Sequence, residues 1–316
     1  MSILISVGLP IVKTKFLQDS IESVLNQSYK NIEFIILNNG KTSYYQKEIR
    51  EIVNSYSDNR IKYYENFKQL TIIQDWNKCL SFAKGKYFVL FSDDDIYENN
   101  FLEELYKLAF KYPQVNIFHS RINVINEESK VINWSASLPE WESCLEFIWH
   151  RLNGLRLQFA PEFMVKTKTL KSLGGFIDLP LAWGSDDATW FSLAREKGIV
   201  ATNKVLCNWR ISEFNLSKTG NIYLRLEAVN KFEKWFNLFI KDIPCLHSTD
   251  ENIIKTINNI LRYKIDNSKL LLLNDLSNKY ISYFYKLLIL YTKKKKYNIN
   301  SKLFLRSFLK KISKMI

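Results

Sequence analysis

Hydrophobic residues in the first half of the chain follow two spacings, one typical of strands and one typical of helices. Short β-branched and aromatic runs predict buried strands at 3–9, 32–38, 60–65 and 86–92. Apolar residues three and four positions apart predict helices at 16–28, 45–56, 70–85 and 98–112. This alternation predicts an α/β fold with a mostly parallel central sheet covered by helices on both faces.

The second half of the chain predicts fewer strands and then helices alone. Two short strands are expected within 115–134, around the turn Asn-Glu-Glu-Ser. Helices are predicted at 141–152, 167–173 and 186–197. From about residue 219 glycine almost vanishes, and the Leu-, Ile-, Lys- and Asn-rich sequence predicts helices only. We therefore expect a domain boundary near Gly220, with an α/β domain at 1–219 and a basic helical region at 220–316.

Composition favours a folded chain and argues against several kinds of site. The 316 residues are 47% hydrophobic and 15% aromatic, enough for a sizeable core. Four scattered cysteines without a CxxC pair, and three histidines without paired spacing, argue against a zinc site or a disulfide scaffold. The apolar stretch after Met1 lacks the basic start and cleavage site of a signal peptide. We expect a mature N-terminus and a reduced, cytoplasmic chain.

The net charge of +13 is concentrated in the last third of the chain. Residues 286–316 hold ten basic side chains and no acidic one. Within 301–316, one helical stripe is apolar and the opposite side is basic. The stripe consists of Leu305, Phe308, Leu309, Ile312 and Ile316, and the basic side of Lys302, Arg306, Lys310 and Lys314.

Such a segment is typical either of peripheral contact with an anionic membrane or of a helix packed on its own domain with a solvated lysine face. The apolar run 286–291 is too short to cross a bilayer. Because no RNA- or DNA-binding signature accompanies the basic residues, we do not expect nucleic acid as a partner.

Three consecutive carboxylates, Asp93, Asp94 and Asp95, follow the predicted strand 86–92. An EF-hand loop is excluded, since Tyr97 and Glu98 stand where that loop needs a ligand and a glycine. The acids could cap the helix that follows. They could instead hold Mg²⁺ or Mn²⁺ together with substrate phosphates. Without a Walker A or GxGxxG motif, the pattern favours nucleotide-sugar chemistry over NTPases and dinucleotide oxidoreductases.

The segments ISVGLP, SIESVLNQSYKNIEFIILNNG and WNKCLSFAKGKYFVLFSDDD, followed by FLEEL, resemble the GT-A domain of family 2 glycosyltransferases over roughly residues 2–218. Bacterial capsule, O-antigen and other surface-polysaccharide enzymes are members of this family. The resemblance implies that the acidic triplet is the DxD-type motif, with Ser92 at the first acidic position. Asp94 and Asp95 are then the expected metal ligands.

The same resemblance implies a set of nucleotide-binding residues. They are Pro10, Ile11, Asn38, Asn39, Asn77, Asp93, Asp94 and Arg210. Several positions depart from the family pattern. Asn38-Asn39 replaces an Asp-Asp pair, which leaves a uracil, thymine or cytosine base open. Lys13 replaces an asparagine, Trp76 an arginine and Ser212 a histidine. For Arg210, contact with a phosphate and a surface salt bridge both stay open.

For the base that deprotonates the acceptor, the resemblance implies Asp186, with Asp187 as the fallback and Ser185 in place of the preceding glutamate. These acids could also simply begin the helix 186–197. The implied activity is an inverting, metal-dependent, hexosyltransferase-like transfer from a nucleoside-diphosphate sugar to a glycan or lipid-linked glycan. The alternatives are a non-catalytic binding module with a degenerate site and, less favoured, a nucleotidyltransferase, whose Gly-rich basic opening loop is missing.

Overall fold

A computed structural model describes residues 2–40, 43–66, 68–211, 221–245, 247–276 and 280–313. The chain separates into two compact units. The first comprises Met1–Ile177 and Asp186–Asn215, and the second comprises Asp178–Ser185 and Leu216–Ile316. The boundary predicted near Gly220 lies outside the described residues.

The first unit contains the strands of one ten-stranded sheet. They are β1 (Ile5–Ile11), β2 (Ile32–Asn38), β3 (Ile61–Glu65), β4 (Tyr87–Leu90), β5 (Ile96–Tyr97), β6 (Ile117–Ile125), β7 (Val131–Trp134), β8 (Trp141–Glu142), β9 (Phe163–Lys166) and β10 (Ile199–Arg210). The helices are α1 (Leu17–Leu25), α2 (Ser43–Asn54), α3 (Ile72–Phe82), α4 (Phe101–Lys111), α5 (Cys144–Leu152), α6 (Thr167–Ser172) and α7 (Ser185–Ala194). The predicted α/β fold with its four early strands is confirmed.

The strand order is β3-β2-β1-β4-β9-β6-β10-β5, with β7 beside β6 and β8 beside β10. The first four strands pair in parallel, and β6 pairs in parallel with β10, whereas β9 is antiparallel to both of its neighbours. Every residue of β2 is buried, as expected of a parallel strand covered on both faces. The four-residue β9 and the twelve-residue β10, with its polar centre, were not predicted from the sequence.

The chain reverses its direction of travel across the sheet at β1, because β2 lies on one side of β1 and β4 on the other. Pairing between β1 and β4 ends at Gly8 and Leu90, apart from one bond from the Phe91 N–H to the Gly8 carbonyl. Pro10 has no N–H to extend this ladder. The two strands therefore part at their carboxyl ends, which is where open α/β sheets bind ligands.

The second unit is helical, as the sequence predicts. Its helices are α8 (Ile222–Phe239), α9 (Asp250–Asn274), α10 (Tyr280–Thr292) and α11 (Ser301–Ile312). Lys269 of α9 is buried, and its ammonium group donates to Glu233 at 3.2 Å and to the Asn298 carbonyl at 2.9 Å. Among the described residues, none of the helices combines the length and the apolar character needed to traverse a bilayer.

Candidate active site

The acidic segment after β4 is tied to the segment after β1. Asp93 Oδ2 accepts hydrogen bonds from the backbone N–H groups of Val12 and Lys13, at 2.8 and 3.0 Å. Burial and the charge of Asp94 raise the pKa of Asp93 to about 6, against the opposing effect of Lys13. A buried carboxylate is thus held at the point where β1 and β4 part.

Lys13 supplies a positive charge to this acidic segment. Its ammonium group contacts Asp94 Oδ2 directly and lies 3.7 Å from Asp93 Oδ1. Burial disfavours the charged amine, yet Asp93 and Asp94 together raise the pKa of Lys13 above its usual value. In the sequence Lys13 stood out only as a departure from the family pattern. The structure makes it the nearest cation to the predicted metal ligand Asp94.

Asp95, the other predicted metal ligand, is turned into the protein. Its side chain is fully buried, and its Oδ1 accepts the backbone N–H of Arg210 at 2.8 Å. Burial and the charge of Asp94 raise the pKa of Asp95 well above its usual range. Metal coordination by Asp95 stays a prediction. Helix capping by the triplet is wrong, since α4 begins only at Phe101 after the Asn100 cap.

Arg210, at the end of β10, is completely buried. Its Nε donates to the Asp94 carbonyl at 2.8 Å, and its Nη1 donates to the Asn126 carbonyl at 2.9 Å. The guanidinium also lies 4.1 Å from the ring centroid of Phe16. Its Nη2 also lies 3.8 Å from the exposed carboxylate of Asp19, so the salt bridge considered for this residue is present, although the guanidinium itself is buried. Arg210 holds the backbone of the acidic segment, and its contact with a phosphate stays a prediction.

The two amides at the end of β2, Asn38 and Asn39, are hydrogen-bonded within the protein. Asn38 donates to the Gln46 carbonyl at 2.9 Å and to the Tyr63 hydroxyl at 2.8 Å, and its Oδ1 accepts the Gly40 N–H. Asn39 donates to Asp75 Oδ2 at 2.5 Å. These bonds do not favour the prediction that both side chains read a nucleobase, because such contact would compete with them.

Asp75 is a further buried carboxylate, one that the sequence did not single out. Its Oδ1 accepts from Asn66 at 3.1 Å, in addition to the bond from Asn39. Burial raises the pKa of Asp75 to about 6, while the two amide donors lower it. Asp75 lies on α3, and its carboxylate orients the amide that follows β2. The sequence could have indicated Asp75, because it is a charged residue on the buried face of the amphipathic helix α3.

Asn77, also on α3, clamps a turn. Its Oδ1 accepts the Phe176 N–H at 2.7 Å, and its Nδ2 donates to the Phe176 carbonyl at 3.2 Å. Both ends of the amide are therefore used by the backbone beside Gly175. Direct binding of a nucleotide by Asn77 is not what this geometry favours.

The two acids in the first turn of α7 have different surroundings. Asp187 accepts two bonds from Arg151 Nε, at 2.9 and 3.1 Å, and one from Gln158 at 3.1 Å. Asp186 is partly buried, as is Asp187. Burial and the neighbouring charge of Asp187 raise the pKa of Asp186 to about 6. A carboxylate whose pKa is close to neutral pH, at a partly exposed position, suits proton transfer. Asp187 is instead held in its ion pair with Arg151.

The residues present fit a divalent cation that is bound in part by a substrate. The carboxylates of Asp94 and Asp93 are hard oxygen donors, and the Lys13 ammonium already stands against them as a cation. Throughout the described ranges, no group of three or more His, Cys, Asp or Glu side chains could hold a metal ion. Mg²⁺ and Mn²⁺ commonly bind one or two carboxylates and complete their shell with phosphates and water.

Solved structures share this fold. The chain is similar to S. aureus TarS in complex with UDP-GlcNAc, with a TM-score of 0.62 and 12% identity over 86% of this chain and 80% of that one. It is also similar to the mannosyltransferase PcManGT from Pyrobaculum calidifontis in complex with GDP-Man and Mn²⁺, with a TM-score of 0.58 and 13% identity over 98% and 86%. The fold is that of the GT-A glycosyltransferases.

The family follows from the sequence match. Residues 6–163, half of the chain, match Glycosyl transferase family 2, and the chain belongs to this family. Glycosyltransferase GlyG of Streptococcus pneumoniae serotype 4 is 36% identical over 110 residues, 34% of this chain and 35% of GlyG. EpsE of Bacillus subtilis is 38% identical over 80 residues, 25% of this chain and 28% of EpsE. These matches span about a third of each relative or less.

Proposed function

We propose that this chain transfers a sugar, a hexosyl group, from a nucleoside-diphosphate sugar to a hydroxyl of a glycan or lipid-linked glycan, with inversion at the anomeric carbon. The observation that carries the proposal lies where β1 and β4 part: Asp93 accepts the Val12 and Lys13 N–H groups, and Asp94 contacts the Lys13 ammonium group. This is the position at which open α/β sheets bind nucleotides. Membership of family 2 supports the same reading.

The donor diphosphate lies at the acidic segment in this proposal. Asp94, supported by Asp93, would hold Mg²⁺ or Mn²⁺, which neutralises the charge that develops on the departing diphosphate. The complexes of TarS with UDP-GlcNAc and of PcManGT with GDP-Man and Mn²⁺ support a nucleotide-sugar donor. Pro10 and Ile11 lie at the end of β1, where the backbone can approach the nucleotide.

Asp186 acts as the general base. The acceptor hydroxyl gives its proton to the Asp186 carboxylate, its oxygen forms the bond to the anomeric carbon, and the bond from that carbon to the diphosphate oxygen breaks. The pKa of Asp186, raised to about 6, leaves most of the side chain ionised at neutral pH and still basic enough to take the proton. Arg151 keeps Asp187 in its own ion pair, so Asp187 serves mainly to raise the proton affinity of Asp186.

A lipid-linked acceptor would bring the chain to the cytoplasmic face of a membrane as a peripheral protein. The basic segment 286–316 is the part of the sequence suited to anionic lipid.

A non-catalytic nucleotide-sugar or glycan-binding module is the second candidate, and three observations favour it. The Lys13 ammonium lies against the carboxylates that a catalytic cation needs. Ser185, in place of the family glutamate, and the engaged amides of Asn38 and Asn39 point the same way.

The test is a thermal-shift screen of UDP, GDP, CDP, dTDP and their sugar conjugates with and without Mn²⁺, because specific binding raises the melting temperature by mass action. Slow hydrolysis of the sugar conjugates that bind, measured without acceptor, then separates an enzyme from a binding module. Binding accompanied by hydrolysis supports transfer, and binding without hydrolysis supports the module. No shift across the whole panel would contradict both.

A further inference from the structure

Helix α11 packs on its neighbours with a different face from the apolar stripe seen in its sequence. The buried residues of α11 are Leu303, Phe304 and Ser307. Leu305 and Leu309, which belong to the stripe, are 58% and 54% exposed. Helix α11 is therefore packed on its own domain with an exposed lysine face, as one alternative expected, but the packing does not use Leu305 or Leu309. Isolated exposed apolar residues are common, but a contiguous apolar face indicates an interaction surface.

Helix α10 extends this exposed apolar face. Tyr285 and Leu288 are exposed to more than half of their surface. Between α10 and α11 lies an open groove of about 500 Å³, to which Leu288, Tyr291, Leu305 and Phe308 contribute. The two helices therefore expose aliphatic and aromatic side chains, together with a groove that can accept apolar groups.

Basic side chains flank the exposed face. Lys302, Arg306 and Lys310 are exposed on α11 beside the apolar stripe. The lysines at 293–296 lie between α10 and α11. Since 286–316 contains no acidic residue, this charge is not balanced within the segment. Apolar side chains bordered by lysine and arginine are the pattern of helices that lie at a membrane interface.

We propose that the outward faces of α10 and α11 form a surface that binds an anionic lipid bilayer, with the apolar side chains entering the boundary between headgroups and acyl chains. A second copy of this chain is a poorer occupant, because a two-fold interface would set each basic segment against its equal. Binding to the bilayer is inferred from α10 and α11 alone. Only its biological role, which is to bring the enzyme to a lipid-linked acceptor, rests on the proposed function.

The experiment is cosedimentation of the full chain with vesicles. Phosphatidylcholine vesicles are compared with vesicles that also contain phosphatidylglycerol. The chain should partition onto the anionic vesicles, and the double variant Leu305→Ser/Leu309→Ser should lower that partition about tenfold or more. Leu238→Ser is the matched control, since Leu238 of α8 is 59% exposed but lies outside this face. Lys302→Gln and Lys310→Gln should each lower the partition about fivefold, on anionic vesicles alone.

Equal binding to neutral vesicles, or unchanged binding by Leu305→Ser/Leu309→Ser, would overturn the proposal. The proposal would also be overturned, in favour of self-association, if sedimentation equilibrium showed a dimer that dissociates in this double variant and in none of the others. Circular dichroism checks that each variant is folded. Nucleotide binding is measured separately by thermal shift and should be the same in all variants. A chain that binds vesicles but no nucleotide would contradict the proposed function and leave the lipid surface standing.

Discussion

Lys13 and Asp94 form an ion pair across the gap between the ends of β1 and β4, with the ammonium group in direct contact with Asp94 Oδ2. Asp93 Oδ1 lies 3.7 Å from the same ammonium nitrogen, and Asp93 Oδ2 accepts the backbone N–H of Lys13. The acidic segment therefore has a cation of its own before any ligand binds. A divalent cation at Asp94 has to compete with it.

Replacing Lys13 by methionine should strengthen the binding of Mn²⁺ to the protein alone. Removing a unit positive charge in contact with the ligand removes both the competition and the repulsion, and we expect an affinity gain of about tenfold. Electron paramagnetic resonance of free Mn²⁺ gives this affinity without any activity assay. Lys15→Met is the control, because Lys15 forms an exposed pair with Glu127. Unchanged or weaker Mn²⁺ binding in Lys13→Met would show that Lys13 does not compete with the metal.

Asp186→Asn should lower kcat for sugar transfer by about 10²–10⁴-fold while nucleotide affinity changes little, because the base acts only on the acceptor. In the unchanged chain, kcat/KM should rise with pH through about 6, as the Asp186 carboxyl loses its proton, and then level off. The pKa of Asp93 is also about 6, so the profile is assigned only by comparison with the variant.

Asp187→Asn serves as the neighbouring control for the base. It should retain more activity than Asp186→Asn but lose stability, since Arg151 would keep its charge without its carboxylate partner. Full activity in Asp186→Asn would rule out its role as the base.

Asn39→Asp, which restores the acid typical of the family, should destabilise this chain by about 2 kcal/mol at neutral pH. The new carboxylate would face the buried Asp75 across what is now a 2.5 Å hydrogen bond. The pKa of Asp75 is already raised to about 6. A raised pKa means that the native state keeps a proton that the unfolded chain has lost, so stability falls as pH rises through this range. Urea unfolding above and below the pKa of Asp75 measures the effect.

The double variant Asn39→Asp/Asp75→Asn should recover most of the lost stability, because one carboxylate again faces one amide. If the single and double variants lost equal stability, the destabilisation would not come from the contact between the two carboxylates.

Gly175→Ala should destabilise the protein by about 3 kcal/mol. Gly175 has φ +93°, and an added Cβ would lie 2.2 Å from Asn77 Oδ1, which accepts the Phe176 N–H. The variant therefore combines backbone strain with the loss of that clamp. Gly174→Ala is a close control, with φ +87° and no atom within 4 Å of the added Cβ. It should cost about 1 kcal/mol, from backbone strain alone. Denaturant unfolding distinguishes the two, and equal losses would argue against a role for the clamp.

The early part of the fold could be predicted because its signals are local. β2 is a continuous apolar run, and α3 and α4 carry apolar residues at helical spacing, so each element is determined by its own side chains. The acidic triplet could be placed at a strand end for the same reason. The short β9 and the polar centre of β10 carry little periodicity of their own, and their strand form depends on partners distant in the sequence.

The sequence by itself determined that three carboxylates follow a buried strand and that the last helix is amphipathic and basic. Only the tertiary structure decided that Asp95 is held inside by the backbone of Arg210, that Asp94 faces Lys13, and that Leu305 and Leu309 point away from the protein. The reason is that the periodicity of a helix or strand identifies its apolar and polar faces but not which other elements each face contacts. Those contacts come from residues up to 116 positions away, and the packing of the whole chain then decides which side chains remain accessible.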